Sequence, residues 1–478
     1  MSAVIRAVGA HAAADSRRVA LTSGASVLTY ADLARAISGT ANALGRHLRT
    51  SDAVALQVDN GLSAVVADLS LVKLGVACVP IPKFFTDQQF SGAIRNSGAT
   101  WMLSDTEFGE PVEVAGERLW LRRTDAQPIS LPDQTAKISY TSGSTGAPKG
   151  VCLSQAHMER VATSIVARFG SEFAGVHTPI LPLSVLLENV AGLYSVLLAG
   201  GQYNIEKPAA LGCANPFKPD FAALGEALKR ARTTSLIVVP ELLRGLMAAR
   251  AFSGVEMPSL NLVAVGGAKV APDLLQTAHS LGIPAFEGYG LTECASVVAV
   301  NAPNSVRSGA VGKPLDHVAI TIASDGEICV GPSGFLGYAG HAPHEGPVRT
   351  GDVGYRDDDG FLYVTGRKSN LIITSFGRNV SPEWVESELL AEPTIRHALV
   401  FGEGRPALRA LIAPIFPNIA REQVAASVER ANARLPEYAR IADFSLLAPL
   451  SADRGELTGN GRVRRAALLA AHADFVNA

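Results

Sequence analysis

Three short segments near the start of the chain restrict its fold more than any others. Ala53–Val58 and Ala77–Ile81 are short apolar runs rich in β-branched residues, and the stretch between them, from about Ser63 to Gly75, reads as an amphipathic helix. Strand, helix, strand within about thirty residues is the unit of a parallel sheet. The pattern recurs downstream. Leu236–Pro240 and Leu262–Val265 read as buried strands, flanked by helices over Phe221–Arg232 and Ala271–Leu281. Val27–Leu48 repeats apolar residues at helical spacing, with Thr29 and Asp32 near its start. Near Ala310 the texture changes to short strands (Val318–Ala323, Glu327–Val330, Phe361–Val364) split by turn-rich stretches, which predicts a small β-rich subdomain. Beyond Arg367–Asn370, Leu371–Thr374 reads as a strand, and Ser381–Pro382 opens a helix with serine as cap and proline in its first position. Ala398–Phe401 and Ala410–Pro414 read as strands and Arg421–Arg434 as a helix. The expected class is α/β: a large N-terminal domain of βαβ-type sheets with the β-rich subdomain, residues 1–368, then a small α+β domain, residues 369–478.

The 478 residues allow two to four domains. A net charge of −2 supplies no basic field for nucleic acid. The five cysteines are scattered without a C-x-x-C pair, which argues for free thiols and against a zinc site. The most apolar stretches, Leu62–Pro82 and Leu181–Gly200, are interrupted by Asp68 and Lys73 and by Glu188 and Asn189, so neither is expected to span a membrane. The N-terminus lacks the apolar run of a secretory signal, and a cytoplasmic location is expected.

Chemistry concentrates in Tyr140-Thr-Ser-Gly-Ser-Thr-Gly-Ala-Pro-Lys-Gly150, which packs hydroxyls, glycines and one lysine into eleven residues. Glycines let backbone amides approach an anion, hydroxyls add donors and lysine adds charge. The spacing is not that of a Walker A loop, because Lys149 follows Pro148 and precedes Gly150. On composition alone a plain Ser/Gly turn and the nucleophile segment of a Ser-Ser-Lys amidase remain open.

The whole string resembles the phosphate-loop signature of the adenylate-forming superfamily, which includes acyl- and aryl-CoA synthetases, peptide-synthetase adenylation domains and luciferases. Further segments resemble that family's motifs in their order: Gly266-Gly267-Ala268, Gly288-Tyr-Gly-Leu-Thr-Glu293, Thr350-Gly351-Asp352, Gly366-Arg367, and Gly377 to Glu386. The texture is closest to acyl-CoA synthetases. The resemblance implies an AMP-forming acid–thiol ligase: a carboxylic acid, fatty or otherwise apolar, reacts with MgATP to give an acyl-adenylate and pyrophosphate, and the acyl group passes to CoA. The phosphopantetheine of an acyl carrier protein is the alternative acceptor, and a degenerate member with weak adenylation is a further alternative. It implies that Thr141, Ser142, Gly143, Ser144, Thr145, Gly146 and Lys149 cradle phosphates. Gly267, Ala268, Gly288, Tyr289, Gly290, Asp352 and Arg367 would hold adenosine, Tyr289 by stacking on adenine. Thr292 would donate to the α-phosphate and Glu293 would hold Mg²⁺. Val185, Gly266 and Gly290 would line the acid pocket, and the C-terminal domain would be a mobile lid hinged near Ser369.

Two departures from the family pattern stand out. Its C-terminal catalytic lysine falls on Arg462 in Thr458-Gly-Asn-Gly-Arg462, and none of the ten lysines follows Lys368. Arginine keeps the charge as a planar fork rather than a compact ammonium. In Leu181-Pro-Leu-Ser-Val185, valine stands where histidine is common, which suits an apolar acid.

Overall fold

The computed structural model describes residues 2–141, 149–170, 174–215, 219–458 and 463–477. The Ala53–Ile81 unit forms as its sequence dictates: strands Ala53–Gln57 and Ala77–Pro80 pair in parallel around the helix Leu62–Leu74. They sit in an eight-stranded sheet, with Trp101–Ser104 and Thr135–Thr141 parallel to them on either side and antiparallel strands at both ends. A second, nine-stranded sheet runs parallel through Ala285–Leu291, Leu262–Val265, Ser235–Val238, Val176–His177, Gln202–Asn204 and Val19–Ser23.

Helix Leu62–Leu74 lies between the two sheets. Residues 62 to 71 are all buried, whereas an amphipathic face had been expected. A helix that is apolar all round belongs in the interior of a large protein. The main core joins Val54, Leu56 and Cys78 from the first sheet to Leu21, Tyr203 and Ile237 from the second through this helix. The expected helix within Val27–Leu48 spans Tyr30–Leu44. Thr29 and Asp32 cap it reciprocally, the Asp32 amide donating to the Thr29 hydroxyl at 3.1 Å and the Thr29 amide to the Asp32 carboxylate at 3.0 Å. The expected strand Leu236–Pro240 is shifted to Ser235–Val238, because Pro240 starts the next helix, Pro240–Ser253, in the position where its missing N–H costs nothing.

The β-rich portion is a four-stranded sheet of Ala319–Ile322, Glu327–Gly331, Val348–Arg356 and Leu362–Arg367. The C-terminal region is a three-stranded sheet (Ile395–Phe401, Leu408–Pro414, Ile441–Leu446) with helices Pro382–Leu390 and Arg421–Arg434 sharing its core. Ser381 caps the first of these through the Trp384 amide. Its contacts with the preceding domain include polar ones: the Arg244 guanidinium donates to the Leu390 carbonyl, and Arg434 lies 3.5 Å from Asp273.

Three of the four polar residues that interrupt the two apolar stretches, Asp68, Glu188 and Asn189, are inside, and Lys73 is exposed. Lys137 Nζ donates to Asp68 at 2.6 Å and to the Asn189 amide oxygen at 2.6 Å, while Asn189 and the Tyr194 hydroxyl donate to the other Asp68 oxygen at 3.2 Å each. Glu188 accepts from Tyr203 at 2.9 Å and lies 3.0 Å from His177 Nε2. Both networks include a residue of a π-helix, Glu188–Tyr194, that continues into Ser195–Ala199. The cysteines are all free thiols, three of them buried. Among the described residues no helix is long and apolar enough to cross a membrane.

Lys137 is fully buried, so removing its charge strands the Asp68 carboxylate. Lys137→Met is expected to lower the unfolding free energy by about 3–5 kcal/mol, and Asp68→Leu added to it to recover part of that loss. Urea unfolding curves of the three proteins measure both effects.

Candidate active site

The strand Ala285–Leu291 leads the GYGLTE segment out of the nine-stranded sheet. Its first half pairs in parallel with Leu262–Val265, and from Gly288 it pairs antiparallel with Ser296–Val300. Gly290 sits at an irregularity of that pairing, where an added Cβ would come within 1.7 Å of the Ser296 carbonyl oxygen, so only glycine fits. Gly266 ends the neighbouring strand and faces the Gly288 carbonyl at the same edge. Gly267 turns with φ +84°, a conformation that favours glycine. Thr292 and Glu293 follow in one 3₁₀ turn.

Asp352 is the centre of the hydrogen-bonded cluster. Strands Val348–Arg356 and Leu362–Arg367 pair Asp352 directly with Arg367. Arg367 Nε donates to Asp352 Oδ1 at 2.8 Å, and the Tyr289 hydroxyl donates to Oδ2 at 2.6 Å. Burial, with Asp352 beside it, pushes the Tyr289 phenol far up, so it stays a donor. Burial works against the Arg367 charge, but Asp352 outweighs it and the guanidinium is held charged. The Asp352 amide donates to the Thr350 hydroxyl at 3.1 Å, and the Gly351 amide to Glu327 at 2.9 Å, which fixes the Thr-Gly-Asp turn. Tyr289 therefore meets Asp352 through its hydroxyl, a contact beyond the stacking role implied by the resemblance.

A second cluster forms around Tyr338, which no motif flagged. Its hydroxyl donates to Glu293 Oε1 at 3.0 Å, and Lys149 Nζ lies 5.2 Å from the centre of its ring. Strand Phe335–Tyr338 pairs with Lys149–Ser154, so sheet register delivers the tyrosine beside the lysine. Burial, together with Glu293, pushes the Tyr338 hydroxyl up to about 12. The edge position of Tyr338 in GFLGYAG carries no recognisable signal in the sequence.

Two residues brace the Gly266–Val270 turn from behind. Lys269 Nζ donates to the Val364 carbonyl at 2.7 Å, on the strand that carries Arg367. Buried Glu287 accepts from the Val270 amide near Lys269. Val185 lies elsewhere, in a turn closed by its amide donating to the Pro182 carbonyl at 2.9 Å. Ser369 is in an exposed turn directly after Arg367, its hydroxyl 3.1 Å from Asn370 Oδ1. The structure thus joins Tyr289 with Asp352 and Arg367, and brings Glu293 and Lys149 to Tyr338, while Ser369 lies two residues beyond Arg367 in the turn whose Lys368 amide donates to the Gly351 carbonyl at 2.9 Å. Residues 142–148, which include Ser142, Gly143, Ser144, Thr145 and Gly146, and residues 459–462 with Arg462, lie outside the described residues, as does the Thr141 side chain.

Among the described residues no three His, Cys, Asp or Glu side chains converge as a metal cage. A single carboxylate such as Glu293 fits Mg²⁺, which takes one or two carboxylates and fills its shell with phosphate oxygens and water.

Residues 8–340 match the family described as AMP-binding enzyme, and residues 369–478 match the AMP-binding enzyme C-terminal domain. The chain is 30% identical over 413 residues to the 2-succinylbenzoate–CoA ligase of Geobacillus kaustophilus, covering 80% of this chain and 81% of that one. It is 25% identical over 500 residues to a long-chain-fatty-acid–CoA ligase of Mycobacterium bovis, covering 84% and 83%. Among solved structures, the o-succinylbenzoate CoA synthetase of Bacillus subtilis in complex with its acyl-adenylate intermediate has a TM-score of 0.79 at 25% identity, over 97% of each chain. The chain belongs to the AMP-binding enzyme family, the adenylate-forming enzymes. Within that family it is an AMP-forming acid–thiol ligase.

Burial raises the Glu287 carboxyl from its ordinary 4.5 to about 7, against the opposing pull of Lys269 and the Val270 amide. Between these two values the unfolded chain has released the proton and the folded chain still holds it. The contribution of Glu287 to stability is therefore full below about pH 4.5 and is lost as pH rises to about 7. Glu287→Gln should remove that slope, so that melting curves of the two proteins diverge across this window and run parallel above it.

Proposed function

We propose that this protein activates a fatty or other apolar carboxylic acid with MgATP and transfers the acyl group to CoA. The observation that carries the reading is Asp352, a carboxylate held by Tyr289 and Arg367 at the end of the Thr-Gly-Asp turn. A carboxylate so fixed, with both oxygens oriented, accepts hydrogen bonds from a vicinal diol such as the ribose of ATP. Tyr289, Gly288, Gly267 and Ala268 form the adenine side of the pocket. Ser142, Gly143, Ser144, Thr145, Gly146, Thr141 and Lys149 hold the pyrophosphate end.

Thr292 donates to the α-phosphate, and Glu293, oriented by Tyr338, is the protein ligand of Mg²⁺. Mg²⁺ held there would supply charge neutralisation on the phosphates. The acid carboxylate attacks the α-phosphorus and pyrophosphate leaves. Because this displacement needs positioning and charge stabilisation more than covalent help, a pocket of fixed donors suffices. Arg462 takes the place of the bridging cation between substrate carboxylate and α-phosphate. Val185 presents an apolar surface to the acid, and Gly266 and Gly290 leave space for it at the end of the nine-stranded sheet. Residues 369–478 act as a lid that turns about Ser369 to exchange the adenylating and thiol-accepting arrangements; the polar contacts named above, Arg244 with Leu390 and Arg434 with Asp273, are of a kind readily broken and remade.

A relative named for long-chain fatty acids supports an apolar acid and one named for 2-succinylbenzoate an aryl acid, and both are CoA ligases, which favours CoA over a carrier-protein pantetheine. Pyrophosphate release is expected with apolar acids and MgATP, and acyl-CoA on adding CoA. No release with any acid across a panel of fatty and aryl acids would overturn the reading, and release without acyl-CoA would favour the carrier-protein acceptor. Asp352→Ala should raise the KM for ATP about 10- to 100-fold, the scale of losing charge-assisted hydrogen bonds. Arg462→Ala should depress pyrophosphate release more than thioester formation from supplied acyl-adenylate.

A further inference from the structure

We propose that Asn60 is a positioning residue that sets the wall of the acid pocket. The proposal rests on the reading of Leu181–Val185 as that wall. The Leu181–Pro182–Leu183 segment belongs to no strand or helix, and Pro182 has no N–H, so the segment cannot be held by a regular ladder. Its backbone polar groups still need partners where they are buried. Asn60 supplies them from across the domain. Its Oδ1 accepts from the Leu183 amide at 2.8 Å, and its Nδ2 donates to the Leu181 carbonyl at 3.3 Å. A side-chain amide offers an acceptor and a donor from one short planar group, and the two backbone partners fix which end is which. Asn60 is buried, so water cannot readily replace it.

The base of this bracket is itself tied down. The Asp59 amide donates to Asp105 at 3.1 Å, and Lys83 bridges Asp105 at 2.5 Å and Asp59 at 3.5 Å. The far end of the segment is fixed independently, with the Asn189 amide donating to the Val185 carbonyl at 3.1 Å and the Asn189 side chain locked between Lys137 and Asp68. The turn that presents Val185 is therefore stretched between a buried ion pair on one side and a single asparagine on the other. Loss of Asn60 frees the Leu181–Val185 end while the other stays anchored. Discrimination among acids then changes, whereas the nucleotide clusters on Asp352 and Glu293, which share no bond with Asn60, keep their geometry.

The test compares wild type, Asn60→Ala and Asn60→Asp, the last keeping the acceptor for Leu183 but losing the donor to Leu181. The readout is the ratio of kcat/KM for a bulky and a small apolar acid, which does not depend on the fraction of enzyme folded. That ratio should shift about fivefold or more in Asn60→Ala and less in Asn60→Asp, with the KM for ATP unchanged. In parallel, hydrogen exchange at the Leu183 amide should quicken by about tenfold or more in Asn60→Ala while Asn189 keeps its protection. An unchanged ratio with acids turned over, or unchanged exchange at Leu183, overturns the proposal. A wild-type protein that releases no pyrophosphate with any acid overturns the ligase reading instead, and the exchange measurement then decides the role of Asn60 alone.

Discussion

Two large sheets share one interior, and Lys137 is the charge they share it around. The lysine stands on the strand Thr135–Thr141. Its carboxylate partner Asp68 is on the helix between the sheets, and Asn189 and Tyr194 reach the pair from the π-helix that follows Leu181–Val185. A buried pair like this adds little net stability over apolar packing, but it tolerates no missing member. It also has directional bonds, which apolar side chains lack. Sliding the π-helix along the sheet would cost three hydrogen bonds to Asp68 and Lys137 at once. The consequence is registry: the strand Thr135–Thr141 and the Leu181–Val185 segment, proposed above as the wall of the acid pocket, are fixed relative to each other by one cation.

The remaining site is assembled by sheet register rather than by long-range pairing of charges. Asp352 meets Arg367 because adjacent antiparallel strands put them opposite, and Tyr338 meets Lys149 side because its strand pairs with Lys149–Ser154. Tyrosines then tie the clusters to their neighbours, Tyr289 to Asp352 and Tyr338 to Glu293. Each phenol is held protonated by burial beside a carboxylate, so each is a fixed donor rather than a titrating group. Donors fixed in this way suit chemistry in which charge on phosphate must be met by groups already in place.

Local signals were sufficient wherever the cause was local. The βαβ unit, the Thr29–Asp32 cap, the Ser381 cap and the helix Arg421–Arg434 follow from residues within a turn or two of each other. The Thr-Gly-Asp, Gly-Tyr-Gly and Gly-Gly-Ala segments could be read as site segments from their order along the chain. Lys137, Asn60 and Tyr338 could not, because their partners lie far away in sequence and their own neighbourhoods are ordinary. Asp68 shows the difference well. In the sequence it is an interruption that disqualifies an apolar stretch from crossing a membrane, and in the fold it accepts from Lys137, Asn189 and Tyr194 in the interior. The amphipathic expectation for residues 63–75 failed for the same reason: a helix enclosed by two sheets has no polar face, and its one acid is paired inside.

The absence of lysine beyond residue 368 has a structural side that bears on Arg462. In the C-terminal region arginine side chains serve several acceptors at once. Arg434 donates to the Glu388 carboxylate at 2.7 Å, the Glu388 carbonyl at 2.8 Å and Glu392 at 3.0 Å, and Arg430 adds a second guanidinium on Glu392 at 2.8 Å. Arg465 donates to the Val400 carbonyl at 2.7 Å and also binds Glu386, whose burial raises its pKa against the pull of that arginine. An ammonium on a flexible stem presents one point and could not span such sets, whereas a planar fork does so with little loss of freedom. The region is thus built on guanidinium geometry throughout. Arginine at position 462 follows that bias instead of standing out as one eroded position, and a planar fork is able to bridge oxygens of two different groups, as the cation proposed between a carboxylate and a phosphate would do.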